Sequence, residues 1–223
     1  MIQEEIKDQQ KKMEGKSFQE KFQYFWYYYK VHVFAVLFTI LVIVLFANAI
    51  MKDSKEPSIY VALINSALTA EADTPLLEEY VTLRGIDQEA HPAKLDYTLQ
   101  MDQSLVNDLS LASSQKYMSM LTSGKMDVIF CDKWIVDEYA ALDAYENLED
   151  YLSAEDFAQI KDRLYYCKVP QKGRIPVAFY AEGIEKILTE PLYGKKEIPL
   201  ISICRTSKRK DTAADFIHYL LNE

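Results

Sequence analysis

The residues best suited to recognise a ligand fall in three short clusters: Asn65-Ser66, Asp102-Gln103-Ser104 and Asp132-Lys133-Trp134. Amide, hydroxyl and charged groups fix the orientation of a bound molecule. An indole supplies a stacking face, and small-molecule sites use this mixture. Ordinary loop polarity, with Trp134 packed on the rim of a sheet, is the alternative account of the same residues.

Covalent and acid–base chemistry is less well served. The histidines His32, His91 and His218 are scattered, and none lies near a cysteine or a carboxylate pair in sequence. Only six glycines occur, and no phosphate loop, GxSxG, HExxH or EF-hand spacing is present. Asp137, Glu138, Asp143, Glu146, Glu149, Asp150, Glu155 and Asp156 lie in or between helical stretches and read as a solvated face. Cys131, Cys167 and Cys204 are an odd set without metal-ligand spacing. Their apolar surroundings predict burial as small hydrophobes; a Cys131–Cys204 disulfide stays open if their strands are neighbours. The expectation is a protein that is not an enzyme and holds no cofactor and no metal.

The three clusters matter only if strands deliver them to one place. Ser58 to Asn65 is a continuous apolar run of strand length, Leu95 to Met101 suggests a second strand, and Met126 to Cys131 a third. Each cluster therefore follows the carboxyl end of a strand, where open α/β sheets bind ligands. Between the strands, Ala70–Asp87 and Ser110–Leu121 have helical spacing, the second stopped by Ser123-Gly124. Lys133–Ala144 reads as a further helix, and Ser153 caps another running to about Tyr165. Ile175–Tyr180 is a strand whose Pro176 points to an edge or a strand start. Pro199–Cys204 is the last strand, and Ala213–Leu221 the last helix, opened by Thr212. Alternation of this kind predicts an α/β three-layer sandwich with a mostly parallel sheet.

Ahead of that domain, Val31–Met51 reads VHVFAVLFTILVIVLFANAIM, with no charge. As a helix at about 1.5 Å per residue it matches the hydrocarbon core of a bilayer. Six lysines precede it (Lys7, Lys11, Lys12, Lys16, Lys21 and Lys30), and only Lys52 and Lys55 follow closely. That asymmetry predicts a cytoplasmic N-terminus and an extracellular C-terminal domain. Phe22 and Tyr24–Tyr29 suit the headgroup level, and Ser17-Phe18-Gln19-Glu20 has capping-box form, so a short interfacial helix leading into the span is expected. Cleavage after Ala49 is the rival reading. The leader of 30 residues with five acids argues against it. The predicted organisation is a cytoplasmic tail and aromatic segment (1–30), a transmembrane helix (31–51), a linker (52–57) and an extracytoplasmic domain (58–223).

Residues 52–223 carry 19 Lys+Arg against 29 Asp+Glu. Such a balance disfavours nucleic acid as a partner, and solubility accounts for much of it. No internal repeat or low-complexity tract interrupts the chain.

Three segments resemble those of extracellular solute-binding proteins (periplasmic-binding-protein-like, type 2). Leu121–Ile129 (LTSGKMDVI) is similar to the small-Gly-x-x-Asp-Val-Ile entrance to that family's third strand. Tyr139–Leu152 looks like its alanine-rich helix followed by Leu-x-Asp-Leu, and Pro199–Leu221 like its return strand and closing helix. The family's two lobes close on a ligand, whereas only about 30 residues separate the 175–180 strand from the last helix, too few for a second lobe. The FWYYYK segment with the apolar run also resembles single-pass envelope proteins of Gram-positive anaerobes. These resemblances imply a one-lobed, membrane-tethered solute-binding-like domain at the cell surface. It would be an accessory or interaction subunit, beside a transporter or another membrane or envelope protein; a receptor or sensor for a small-molecule ligand is the alternative.

Overall fold

The computed structural model describes residues 17–53, 55–68, 74–103, 107–188, 192–193 and 197–222. The predicted tail over 1–16, the start of the 70–87 helix and Ser104 lie outside them. The chain forms two units, Met1–Lys55 and Glu56–Glu223.

Within the first unit, Phe18–Asp53 form one uninterrupted helix, α1. Ser17 and Glu20 close the expected capping box: the Ser17 amide donates to Glu20 Oε2 at 2.9 Å, and the Glu20 amide to Ser17 Oγ at 3.4 Å. Within α1, Tyr29–Ala47 is long and apolar enough to cross a membrane, about 29 Å of helix. The Thr39 hydroxyl is satisfied inside the helix by Ala35 O at 2.9 Å. Phe22 stacks with Trp26 and Phe25 with Tyr29, so the aromatic residues before the span pair along the helix. No break separates them from the apolar stretch, so the expected interfacial helix is the first part of α1 rather than a separate element.

The second unit runs β1 (Tyr60–Leu63), α2 (Leu76–Arg84), β2 (Lys94–Asp96), α3 (Asp108–Ser123), β3 (Val128–Cys131), α4 (Lys133–Ala140), α5 (Leu148–Tyr151) and α6 (Ala154–Gln159). A 3₁₀ turn (Lys161–Arg163) leads to β4 (Leu164–Val169), β5 (Gly173–Tyr180), β6 (Leu200–Ile203) and α7 (Lys210–Asn222). The sheet order is β2-β1-β3-β6-β5-β4. Val61, Leu63, Val128, Phe130, Ile201 and Ile203 face a core covered by α2 and α7. Ala62, Ile64, Ile129 and Cys131 face a second core under α3 and α4. Helices therefore cover both faces. Phe130, Phe179 and Phe216 are fully buried, each removal from water contributing about 1.5–3 kcal/mol.

The sheet is mixed, not mostly parallel. β1 pairs in parallel with β2 and β3, while β3–β6, β6–β5 and β5–β4 are antiparallel. Parallel pairing needs a crossover of a dozen residues or more, which α2 and α3 supply. Only Pro170–Lys172 joins β4 to β5, with Gln171 at φ 64°, and a hairpin is the only geometry so short a connection allows. β4 replaces the end of the helix expected to run to Tyr165. That helix stops at Gln159, and Cys167 and Val169 then alternate with exposed Tyr166 and Lys168. Pro176 sits in an interior strand, where the register shift opposite Tyr165/Tyr166 forms a bulge that tolerates its missing N–H.

Antiparallel β3–β6 pairing also decides the cysteine question. Cys131 lies opposite Leu200, whereas Cys204 follows β6 with its amide on Asp127 O. Four ladder positions, about 13 Å, separate them, too far for a disulfide. All three cysteines are free and buried.

Candidate functional site

Two successive crossovers run in opposite directions across the sheet. The chain passes from β1 over α2 to β2 on one side, then returns over α3, on the opposite face, to β3 on the other. The gap beyond the carboxyl ends of β1 and β3 is thus the topological switch point of the sheet, where such folds leave a crevice. A pocket of about 650 Å³ lies there.

Asn65, the second residue after β1, holds the strand ends together from a left-handed conformation (φ 58°). Its Nδ2 donates to Asp132 Oδ2 at 2.5 Å, and its Oδ1 accepts from the Met101 amide at 2.7 Å. One side chain thereby joins the ends of β1 and β3 to the segment following β2. That segment leaves the ladder because Asp96 Oδ1 takes the Thr98 amide and hydroxyl at 2.9 and 2.7 Å, closing a local turn.

The first turn of α3 forms the next wall. Asn107 caps the helix through the Ser110 amide at 2.8 Å; Ser110 Oγ accepts from the Asp102 amide at 3.0 Å, and Ser113 Oγ from the Gln100 amide at 3.1 Å. These bonds satisfy two buried serines and orient Gln100, Asp102 and Gln103 along the pocket. Asp132 opens α4 without capping it, its carboxylate being turned to Asn65. Two residues further, Trp134 lines the pocket, packed on the core beneath α4.

The last wall comes from the β5–β6 connection. The Ala67 amide donates to Leu192 O at 2.9 Å, and the buried Tyr193 hydroxyl reaches Ile64 O at 2.7 Å and Phe130 O at 3.2 Å, across the ends of β1 and β3. Burial pushes the Tyr193 phenol well above its ordinary pKa, so it stays a neutral donor. The connection then brings Glu197 to the pocket.

Of the residues singled out from sequence, Asn65, Asp102, Gln103, Asp132 and Trp134 line this one pocket. Ser66 does not: it is buried, and its hydroxyl has no hydrogen-bond partner. Lys133 is turned away, its ammonium 2.7 Å from Asp137 and over the Tyr165 ring at 5.1 Å. The hydrogen bond to Asp137 pushes the Lys133 pKa up. Ser104 lies outside the described residues. Sequence reasoning missed Gln100, Asn107 and Ser110, although Asn107 ahead of an apolar-periodic stretch is a readable helix cap. Glu197 carries no local signal; only the return path of the chain brings it here.

The polar lining consists of the carboxylates of Asp102, Asp132 and Glu197, side-chain amides and the Ser110 hydroxyl, which already takes the Asp102 amide. Among the described residues no histidine or cysteine lines the pocket, and no three His, Cys, Asp or Glu side chains gather closely enough to hold a metal ion. No protein-family model, curated protein or solved structure matches the chain.

Proposed function

We propose that this chain is a single-pass membrane protein that presents a one-lobed, solute-binding-like domain outside the cytoplasm, where it acts as a non-enzymatic accessory or interaction subunit. The observation that carries the reading is the pocket at the switch point. It is built from the ends of β1 and β3, the segment after β2 and the β5–β6 connection, and all its walls belong to one compact unit. A site with no opposing lobe leaves its ligand wetted on one side, and enclosure by a second protein would add the missing contact area. Leu109 at the rim and Ile198 beside Glu197 are exposed apolar side chains suited to such a cover. The apolar stretch of α1 supports the tether, and the lysine asymmetry supports the orientation.

Two measurements on the full-length chain test this. Alkaline phosphatase fused after Glu223 should be active and a fused cytosolic reporter silent; the reverse pattern overturns the orientation. A photo-crosslinking residue at Leu109, in native membranes, should yield one discrete protein adduct that Trp134→Ala abolishes. Absence of any adduct from both Leu109 and Ile198, or indifference to Trp134→Ala, removes the interaction role. The pocket volume, within the usual small-ligand range, favours a second reading as a receptor that binds its ligand without a partner.

A further inference from the structure

From the groups that meet in the pocket, and resting on its reading as a binding site, we infer that its ligand presents a positively charged nitrogen, an alkylammonium or guanidinium group. Three carboxylates from separate stretches of chain line the cavity: Asp102 after β2, Asp132 after β3 and Glu197 ahead of β6. Among the described residues no lysine or arginine lines it; Lys133, between Asp132 and Trp134, is engaged by Asp137 outside it, and Lys195 and Lys196 lie outside the described residues. The side-chain amides of Gln100 and Gln103 add carbonyl oxygens that accept from N–H donors, whereas those of Asn65 and Asn107 already take the Met101 and Ser110 amides. Trp134 adds an indole face, the best aromatic surface for a cation.

Competing ligand classes fit less well. The amino ends of α3 and α4 approach the pocket, as anion sites do, but Asn107 already caps α3, and the Asp132 carboxylate stands at the start of α4 and repels an anion. A bare metal ion needs ligands within about 2–2.6 Å of one point, and no such cluster exists among the described residues. A cavity of about 650 Å³ suits a larger organic cation, or a basic side chain of a partner protein.

Fluorescence decides this. The chain has two tryptophans, so Trp26→Phe in the full-length protein, reconstituted in nanodiscs, leaves Trp134 as the sole reporter at the site. Spermidine, L-arginine and choline are titrated in parallel with glucose and succinate. A blocked pentapeptide, acetyl-Ala-Ala-Lys-Ala-Ala-amide, forms a further arm. The expected result is a saturable change with at least one cationic probe, weakened tenfold or more by Asp132→Asn or Glu197→Gln and by raised salt. Tighter binding of the peptide than of the free cations assigns the charge to a protein partner, and the opposite order to a small molecule. Saturable binding of glucose or succinate alone overturns the cation assignment and leaves the pocket as a binding site. A cation response unchanged in both variants overturns the assignment to this pocket. Silence toward every probe overturns the cation assignment too; crosslinking from Leu109 then judges the interaction role separately.

Discussion

Asn65 and Asp132 stand 67 residues apart, yet the Asn65 amide donates to the Asp132 carboxylate at 2.5 Å across the mouth of the sheet. The same asparagine holds the Met101 amide through its other end. Asn65→Ala should cost about 2–5 kcal/mol: a stranded Met101 N–H accounts for about 1–3 kcal/mol and an alanine held at positive φ for about 1–2 kcal/mol. Asn65→Gly should recover the backbone part only. Chemical denaturation of the full-length protein in detergent checks both, and equal losses in the two variants would remove the backbone contribution.

Gly124 and Gly85 both end helices in the left-handed region, at φ 67° and 61°, but their surroundings differ. A Cβ on Gly124 would lie 2.5 Å from the Thr206 carbonyl oxygen, whereas one on Gly85 meets nothing within 4 Å. Gly85→Ala should therefore cost about 1 kcal/mol from backbone conformation alone. Gly124→Ala should cost about 2 kcal/mol or more beyond that, because backbone at the β6–α7 corner must move. Equal melting temperatures for the two variants would contradict the close approach.

Acid should destabilise the domain through a small set of carboxylates. Burial by itself would raise Asp96, but Lys116 at 2.7 Å, with Thr98 and Tyr60, holds it below the ordinary carboxylate range. Asp156 behaves likewise: burial opposes, while Ser153, His218 and Asn222 lower it. In Asp215, Arg84 and Tyr80 outweigh burial. Because these groups are stronger acids folded than unfolded, the unfolded chain binds more protons as pH falls. Their contribution is complete above the unfolded value near pH 4 and is lost as pH falls through the folded values. Unfolding free energy measured against pH should drop below about pH 4, with a shallower acid limb in Asp156→Asn.

Thiol chemistry should be slow. Burial pushes the Cys167 thiol up to about 11, with Asp137 adding repulsion, and raises Cys131 and Cys204 further. Since the thiolate is the reacting form, a thiol reagent at neutral pH should modify essentially none of the three in the native protein. All three should react on denaturation without reductant. Fewer than three after denaturation would indicate a disulfide.

Leu41, exposed near the middle of the apolar stretch of α1, tests the anchor. Leu41→Arg should raise the apparent insertion free energy by about 2.5–3.5 kcal/mol and shift the chain out of the carbonate-resistant membrane fraction. An unchanged membrane fraction would argue against a span.

Composition and local pattern determined much of this molecule. Uncharged residues over 31–51 can satisfy their backbone groups only as a helix in an apolar medium, and the Ser17–Glu20 box is complete within four residues. The apolar runs ending at Ile64 and Cys131 and the stop at Gly124 are equally local, which is why five of the eight predicted ligand-binding residues line one pocket. Tertiary structure alone decided the rest. Strand direction in β4–β6 depends on how long each connection is and where it can reach, so a parallel expectation gave way to a mixed sheet and Cys204 was carried to the far end from Cys131. Lys133 sits next to Trp134 in sequence, yet a helix turns adjacent residues about 100° apart, and Asp137 one turn later drew its charge away from the pocket. Glu197 arrives by the opposite route: nothing nearby in the chain marks it, and it lines the pocket because Leu192 and Tyr193 fasten the returning segment across the ends of β1 and β3.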